Sequence, residues 1–258
     1  MHNLTKQNIE LISTLTANHL KIKYKRTSLG FLWSLLNPLL SVGVISLVFS
    51  VIMGMPYGEF VVMFFPAFMA WTMFSGSVLG ATTSIINNEA LIKKTPINIM
   101  IFPIVNVAIN FVEFILTFFA FLLIAILIGY EPGINLLYLP VSIILLLAIS
   151  MGVALIVSVI STYFRDMAYL ISVLLQLWFY LSPVLYPKDF ILGRMPIVDL
   201  LMTLNPMVYF IALFRDPITY DKGLTFELLG LSVAMSVVML IVGNAVFNKY
   251  RHKLVYRL

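Results

Sequence analysis

The chain has 258 residues, of which 61% are apolar and 10% are charged, and its mean hydropathy is +1.03. A soluble domain carries about 45–50% apolar and about 25% charged residues, so this composition excludes a water-soluble protein. The absence of cysteine excludes a disulfide scaffold, a cysteine-ligated zinc site and a thiol nucleophile. The formal charge of +5 comes from lysines and arginines at the ends of apolar runs, a pattern that argues against nucleic-acid binding.

The first 28 residues predict an amphipathic helix. Apolar residues recur at intervals of seven, four and seven, and charged residues occupy other positions of the helical wheel: Leu4, Leu11, Leu15 and Ile22 against Lys6, Glu10, Lys21 and Lys25. No small-residue cleavage pattern follows the first apolar run, so we expect this segment to belong to the mature protein. We expect it to lie along the inner membrane surface.

Six apolar runs follow that are long enough to cross a membrane. About 20 residues of helix span a hydrocarbon core of about 30 Å. The predicted spans are residues 31–53, 60–85, 99–129, 136–164, 167–186 and 228–247. The chain is therefore predicted to be a single all-α integral membrane domain, residues 1–258, with both termini on the same side.

The basic residues indicate the orientation of these spans. With the N-terminus in the cytoplasm, twelve lysines and arginines lie inside and four lie outside, namely Lys188, Arg194, Arg215 and Lys222. Cytoplasmic loops of membrane proteins carry such an excess of basic residues. We therefore predict that both termini are cytoplasmic.

Residues 188–227, between the fifth and sixth spans, predict an outer region of short helices. Its apolar patches, 195–202 and 206–214, are too short to cross and are bounded by proline or charge. We expect two re-entrant helices whose ends are satisfied by protein or water. No internal repeat is visible, which argues against inverted-repeat secondary transporters.

The sequence offers no constellation typical of an enzyme. The outer acids, Asp189, Asp199, Asp216 and Asp221, have no D-x-x-D spacing, and no serine lies in a G-x-S-x-G motif. The nucleotide-binding motif G-x-x-x-x-G-K-[ST] is also absent from the sequence. We therefore expect a non-enzymatic chain without a cofactor of its own, so that ATP and Mg²⁺, if used, are bound by another chain.

Glu113 lies about midway along the third predicted span, where a charge is costly and often marks a pathway or a partner. A structural role is the favoured alternative, in which the carboxyl is protonated or hydrogen-bonded to a neighbouring helix carrying Asn106 and Asn110. In the second span, Gly76 and Gly80 form a G-x-x-x-G motif. We expect this motif to serve packing within the chain rather than dimerisation.

Two polar stripes each follow one face of a helix. The first span carries Gly30, Ser34, Asn37 and Ser41, and the fifth carries Tyr169, Ser172, Gln176 and Tyr180. A lipid-facing helix has no use for such a row, so both stripes face other helices or a water-filled path. Aromatic residues near span ends, Trp33, Trp71, Trp178, Phe179 and Tyr186, form an aromatic belt or stack on sugars.

Five segments in order along the chain resemble the permease subunits of ABC-2 type polysaccharide exporters. They are residues 26–38 (RTSLGFLWSLLNP), 93–97 (KKTPI), 164–166 (FRD), 181–187 (LSPVLYP) and 204–210 (LNPMVYF). The resemblance covers essentially the whole chain and the six-span arrangement. It implies a homodimer in the cytoplasmic membrane of a bacterium or archaeon, two copies of a separate ATPase, and a lipid-linked glycan cargo such as O antigen, capsule or teichoic acid.

The resemblance also implies roles for particular residues. An inner coupling helix near residues 87–98 would meet the ATPase through Asn87, Asn88, Glu89, Lys93, Lys94 and Pro96. The outer gate would contain Pro183, Tyr186, Asn205, Pro206 and Tyr209.

Combined with the stripes, this predicts a glycan path lined by Trp33, Ser34, Asn37, Ser41, Tyr169, Gln176, Trp178, Phe179 and Tyr180. The anionic polyprenyl pyrophosphate would first meet Lys25, Arg26 and Arg165, although membrane topology alone can also explain these charges. The alternatives are an ABC-2 exporter of drugs or simple lipids and a membrane-bound polyprenyl-lipid transferase.

Overall fold

A computed structural model describes residues 6–25, 30–95, 97–254 and 257. Arg26 and Pro96 lie outside the described residues. The described chain is helical, with the α-helices α1 Lys6–Lys25, α2 Trp33–Met53, α3 Tyr57–Ser84, α4 Glu89–Lys94, α5 Ile101–Leu127, α6 Leu139–Tyr163, α7 Met167–Tyr180, α8 Pro196–Leu204, α9 Pro206–Thr219 and α10 Phe226–Leu254.

Five of these helices, α2, α3, α5, α6 and α10, are long and apolar enough to cross a membrane. The pair α8 and α9 would be a sixth if counted as one span, although it bends by 77°. The structure thus confirms an all-α integral membrane fold. Two short helices, α8 and α9, occupy the region between the fifth and sixth predicted spans.

The fifth predicted span, 167–186, is helical only over α7. Its 14 residues extend about 21 Å, less than the hydrocarbon core of about 30 Å. The helix ends at Tyr180 because Pro183 has no backbone N–H and cannot extend it. The expectation of an unbroken helix to residue 186 was therefore wrong, and residues 181–186 form turns instead.

Helix α3 lies at the centre of the bundle. In its most apolar 18-residue window 78% of residues are buried, against 17% in α2 and α10. Stacked and tilted phenylalanines follow one face of α3 near its start, with Phe60, Phe64 and Phe68 at centroid distances of 5.8 and 5.4 Å. The peripheral helices α2 and α10 consequently present most of their apolar surface outward.

One end of the bundle is closed by a cluster that joins five helices. Ile92 of α4 packs there with residues from the end of α3, the start of α5 and the ends of α6 and α10, namely Ile85, Ile99, Phe102, Leu155, Val159, Phe247 and Leu254. We call this the basic end, because its helix termini and loops carry Lys93, Lys94, Arg165, Lys249, Arg251 and Lys253.

The opposite end, called the α9 end, is joined by hydrogen bonds. Thr219 donates to the Val62 carbonyl of α3 at 2.9 Å, and the Tyr130 hydroxyl donates to the Ile218 carbonyl at 2.5 Å. Asn135, before α6, donates to the Asp221 carbonyl at 2.7 Å. These bonds place the start of α3, the end of α5 and the end of α9 together.

Helices α6 and α10 run parallel from the α9 end to the basic end. Ser236 donates to the Leu145 carbonyl at 3.1 Å, and further along the helices Val159 and Phe247 meet in the basic-end cluster. Because α6 and α10 run in the same direction, the chain must return between them. Helix α7, the turns after it and the segment through α9 make that return.

Small residues let α6 and α10 approach to backbone contact. A Cβ added to Gly152 would lie 2.4 Å from the Met239 carbonyl, and one added to Gly243 would lie 2.3 Å from the Gly152 oxygen. Membrane helices associate through such close packing because lipid supplies little hydrophobic drive between them.

Close packing at glycine also joins α3 and α5. Asn110 and Asn106 of α5 fill the space beside Gly76 and Gly80, where an added Cβ would lie 2.2 and 2.1 Å from the amide oxygens. Asn106 also donates to the Ser77 carbonyl at 2.8 Å. The G-x-x-x-G motif thus serves packing within the chain, as predicted.

Helix α1 packs along the first half of α5. Its apolar residues Leu11, Ile12, Leu15 and Leu20 contact the Ile101, Val105 and Ile109 cluster. Ile22, which the sequence placed on the apolar face, is 73% exposed, because the buried face is centred on Ile12 and Thr16 instead.

The close contact at Gly152 predicts that a larger side chain at this position destabilises the protein. We expect Gly152→Leu to lower the free energy of unfolding by about 1–3 kcal/mol, because the new side chain meets backbone that cannot move aside. Thermal unfolding of the purified protein in detergent measures this. Gly230→Leu on α10 is the control, since its Cβ meets nothing within 4 Å. Equal melting temperatures for the two variants would contradict the packing argument.

Candidate functional site

A first cavity of about 300 Å³ opens between α1, α2, α3 and α5. Eight of its thirteen lining residues carry polar side chains, which is unusual for the interior of an apolar bundle. The lining residues are Lys23, Trp33, Ser34, Asn37, Pro38, Ser41, Phe68, Thr72, Met73, Asn110, Glu113, Phe114 and Thr117.

A second cavity of about 440 Å³ lies between α3, α5 and α7. It is lined by Trp71, Thr72, Ser75, Gly76, Leu79, Asn110, Glu113, Leu175, Gln176, Phe179 and Tyr180. Thr72, Asn110 and Glu113 line both cavities, so the two are neighbours with a shared polar wall. Both predicted stripes therefore contribute to one polar region of the bundle.

Three of the four residues of the first stripe, Ser34, Asn37 and Ser41, line the first cavity together with Trp33, and Gly30 does not. Pro38, one turn beyond Ser34, also contributes to this wall. The shared location follows from the helical repeat, which places residues three, four and seven apart on one face.

The second stripe is divided. Gln176, Phe179 and Tyr180 line the second cavity, whereas Tyr169 lines neither cavity and is 78% exposed. Tyr180 is also largely exposed, and so is Gln176. One face of α7 therefore presents polar groups outside the protomer, in a helix that is otherwise apolar.

Trp178 lies within an aromatic cluster and outside both cavities. Its ring centroid is 5.4 Å from that of Phe74 and 6.1 Å from that of Trp71, both edge-to-face. Its indole N–H donates to Asn205 Oδ1 at 2.8 Å. Phe179 reaches the same cluster, 5.6 Å from Trp71. The geometry gives Trp178 a structural contact between α3, α7 and the turn before α9.

Glu113 forms a salt bridge with Lys23 of α1. The expected partners, Asn106 and Asn110, lie on the same helix as Glu113 and make other bonds: Asn106 to Ser77, and Asn110 to the Asn106 carbonyl. The assignment of those amides as partners on a neighbouring helix was therefore wrong. Sequence reasoning missed Lys23, because 90 residues separate the two charges and no periodicity connects them.

The predicted coupling segment forms α4 and the 3₁₀ turn before it, at the basic end. Glu89 and Lys93 pair one turn apart. The hydrogen bond and charge of Lys93 hold the pKa of Glu89 below its ordinary value, and the charge of Arg165 acts in the same direction. Lys94 and Asn87 are exposed, and Asn88 donates to the Ser84 carbonyl at 2.8 Å. The segment is an exposed, charged surface.

The three basic residues predicted to meet the lipid pyrophosphate do not form one described site. Lys25 is exposed at the last residue of α1, and Arg165 is exposed between α6 and α7. Arg26 lies outside the described residues. Lys23, two residues before Lys25, is the basic side chain that reaches the first cavity.

The predicted outer-gate residues meet where α7 ends and α9 begins. Asn205 caps α9 by accepting from the Met207 N–H at 2.9 Å, and Pro206 occupies the first helical position. The Asn205 amide also donates to the Leu181 carbonyl and to Ser182 Oγ, both at 3.0 Å. One side chain thus joins α7, the following turn and α9.

The other gate residues brace the turns around this junction. The Tyr186 hydroxyl donates to the Tyr180 carbonyl at 2.8 Å, and the Tyr209 hydroxyl donates to the Thr203 carbonyl at 2.9 Å. Pro183 is buried in the turn. These contacts hold the junction of α7, α8 and α9 in a defined shape.

Arg215 of α9 is the main structural residue that sequence reasoning missed. It is 4% exposed and donates to three carbonyls: Met63 of α3 at 3.1 Å, Val184 at 2.9 Å and Tyr186 at 3.2 Å. The sequence had placed it in an outer loop as one of four topological charges. Its position inside an apolar run, after Phe214, was the available signal of burial.

The cavities offer hydrogen-bonding groups. Their polar groups are hydroxyls, amides, one carboxylate and one ammonium. Within the described ranges, no three histidine, aspartate or glutamate side chains come together to hold a metal ion. Such a lining suits a hydroxyl-rich ligand that makes many weak, replaceable contacts.

The three carbonyl bonds predict a strong dependence on Arg215. We expect Arg215→Met to lower the free energy of unfolding by at least about 3 kcal/mol, because it leaves three carbonyls unpaired at about 1–3 kcal/mol each. Thermal unfolding in detergent checks this. Arg194→Met is the matched control, since that exposed guanidinium only covers the Phe190 ring, 4.6 Å from its centroid. An equally small effect of both substitutions would refute the role of Arg215.

Comparisons with known proteins agree with this architecture. The ABC-2 type transporter family matches residues 10–218. The O-antigen export system permease protein RfbA of Myxococcus xanthus is 31% identical over 244 residues, covering 94% of this chain and 93% of that protein. A protein of the same name from Klebsiella pneumoniae is 27% identical over 245 residues, covering 95% and 93%. The chain therefore belongs to the ABC-2 type transporter family.

Proposed function

We propose that this chain is the permease subunit of an ATP-driven exporter that moves a lipid-linked polysaccharide across the cytoplasmic membrane. The proposal is carried by the neighbouring polar cavities in an otherwise apolar bundle. Similarity over about 95% of the chain to proteins named O-antigen export permeases supports the cargo class. O antigen, capsular and teichoic-acid-like polymers share the chemistry that such cavities would contact.

The glycan path is lined by the first cavity, the second cavity and the polar face of α7. A moving polymer presents hydroxyls and apolar sugar faces, which the hydroxyls, amides and aromatic rings of these surfaces can contact weakly and repeatedly. Tight binding at one point would stall transport. Ser34, Asn37, Ser41, Gln176 and Tyr180 are the residues that best fit this role.

A second copy of the chain completes the path. Gln176, Tyr169 and Tyr180 are exposed on the protomer, and polar groups are costly when they face lipid. A homodimer in which the α7 faces meet across a wet path removes that cost. This arrangement explains why α7 is short, polar on one face and only partly covered.

A separate ATPase, in two copies, drives export and binds ATP and Mg²⁺. The sequence contains no P-loop of its own. The exposed segment with Glu89, Lys93 and Lys94 provides the docking surface, and it packs through Ile92 on the basic-end cluster. A push on α4 is therefore transmitted to α5, α6 and α10.

The basic end faces the cytoplasm and the α9 end faces outward. This orientation follows the positive-inside rule, with both termini cytoplasmic. The lipid pyrophosphate is drawn to basic residues, for which the sequence offers Lys25, Arg26 and Arg165. Cargo then moves from the basic end toward the gate formed by α8 and α9.

Charge reversal at α4 tests the docking surface. In Lys93→Glu/Lys94→Glu we expect ATPase association to weaken by about tenfold, because reversal turns electrostatic attraction into repulsion. Co-purification of the two subunits measures this. Arg251→Glu/Lys253→Glu, also at the basic end, is the control and should associate normally. Normal association and export in the α4 variant would refute this docking site.

An impermeant thiol reagent tests the proposed orientation. From outside the cell it should label a cysteine at Asp199 and should not label a cysteine at Ala90.

Added bulk tests the path. In Ser41→Trp and Gln176→Trp we expect export to fall severalfold while assembly stays intact, because the indole occupies cavity space that the cargo would use. Polymer export is measured together with assembly. Leu47→Trp on α2 and Leu174→Trp on α7 are matched controls, because both residues are exposed and line neither cavity. Loss of assembly in both cavity variants, rather than loss of export alone, would mean that the stripes are packing surfaces.

A further inference from the structure

The salt bridge between Lys23 and Glu113 joins the amphipathic helix α1 to the middle of the bundle. Glu113 is twelve residues beyond the start of α5, about 18 Å along its axis. Lys23 belongs to the last turn of α1, two residues before its end. The ion pair therefore fixes the far end of α1 at about half the height of α5.

Glu113 also occupies the boundary between the cavities. It lines both the first and the second cavity, while Lys23 lines only the first. The carboxylate is thus held toward α1 and away from Gln176 of α7. Both side chains are partly exposed, 48% for Lys23 and 31% for Glu113. A partly hydrated ion pair is weak enough to open and close, unlike a fully buried one.

Apolar contacts also attach α1 to α5. Leu11, Ile12, Leu15 and Leu20 pack against Ile101, Val105 and Ile109, and Thr16 is 8% exposed beneath the helix. The ion pair continues this contact by one turn, from Leu20 to Lys23, at the far end of α1.

We propose that Lys23 and Glu113 form a latch that keeps α1 docked as a wall of the first cavity and positions the Glu113 carboxylate between the two cavities. Opening the latch moves α1 away from α5 and joins the first cavity to the membrane interface at the basic end. The role of the latch in transport rests on the proposed function, because the opened cavity would admit cargo to the path. The latch itself is a property of the chain alone.

Thiol labelling tests the latch in the cysteine-free chain. A cysteine replacing Thr16 reports the docking of α1, and a cysteine replacing the exposed Ser13 is the control reporter on the same helix. We expect Glu113→Gln and Lys23→Gln each to raise the labelling rate at position 16 by about fivefold, the order expected for one partly exposed ion pair. Labelling at position 13 should stay constant.

Restored pairing distinguishes the latch from general loosening. The reversed pair Lys23→Glu/Glu113→Lys should return labelling at position 16 to the original rate. Lys21→Gln on α1 and Glu131→Gln beyond α5 are matched charge controls and should behave as the parent chain does. Unchanged labelling in both single variants would overturn the proposal. It would also be overturned if the reversed pair labelled as fast as the single variants.

Export by the same variants separates the latch from the proposed function. Faster labelling with impaired export, both restored by the reversed pair, supports a latch that acts in transport. Faster labelling with normal export retains the latch and contradicts only its role in admitting cargo. If Glu113→Gln does not fold, Lys23→Gln decides the outcome, because its side chain lies on the peripheral helix α1.

Discussion

The hydrocarbon core of a bilayer offers no hydrogen-bonding partner, and the architecture of this chain depends on that constraint. A polar group inside the bundle is least costly where protein, or water in a cavity, satisfies it. The Arg215 guanidinium donates hydrogen bonds to three carbonyls, one in α3 and two in the turn after α7. Asn205 similarly joins α7 to α9. Both side chains hold irregular backbone in place. A membrane protein otherwise avoids irregular backbone, because its N–H and C=O groups lack partners in the hydrocarbon core.

The same constraint separates structural from functional polar residues. Asn106 makes an interhelical hydrogen bond, and Gly152 and Gly243 bring backbones into contact, so these residues are explained by packing. The polar side chains that line the first and second cavities are those to which we assign the proposed path.

Helix α5 connects the proposed functional parts of the chain. Its start packs in the basic-end cluster beside α4, its middle carries Glu113 at the junction of the cavities, and Tyr130 beyond its end bonds to α9. Motion of α4 would therefore have a direct mechanical route to the cavities and to the proposed gate. Helix α1 lies against the same helix, which places the latch on that route.

The sequence alone determined the properties that depend on local spacing: the apolar spans, the charge asymmetry, and the shared face of Ser34, Asn37 and Ser41, since the helical repeat and bilayer thickness dictate them. Tertiary structure decided the partners. The pairing of Lys23 with Glu113, the burial of Arg215 and the packing of Trp178 on Phe74 join residues distant in the chain. No periodicity specifies such contacts, because they depend on how helices dock against one another and on which polar groups each docking leaves to be satisfied.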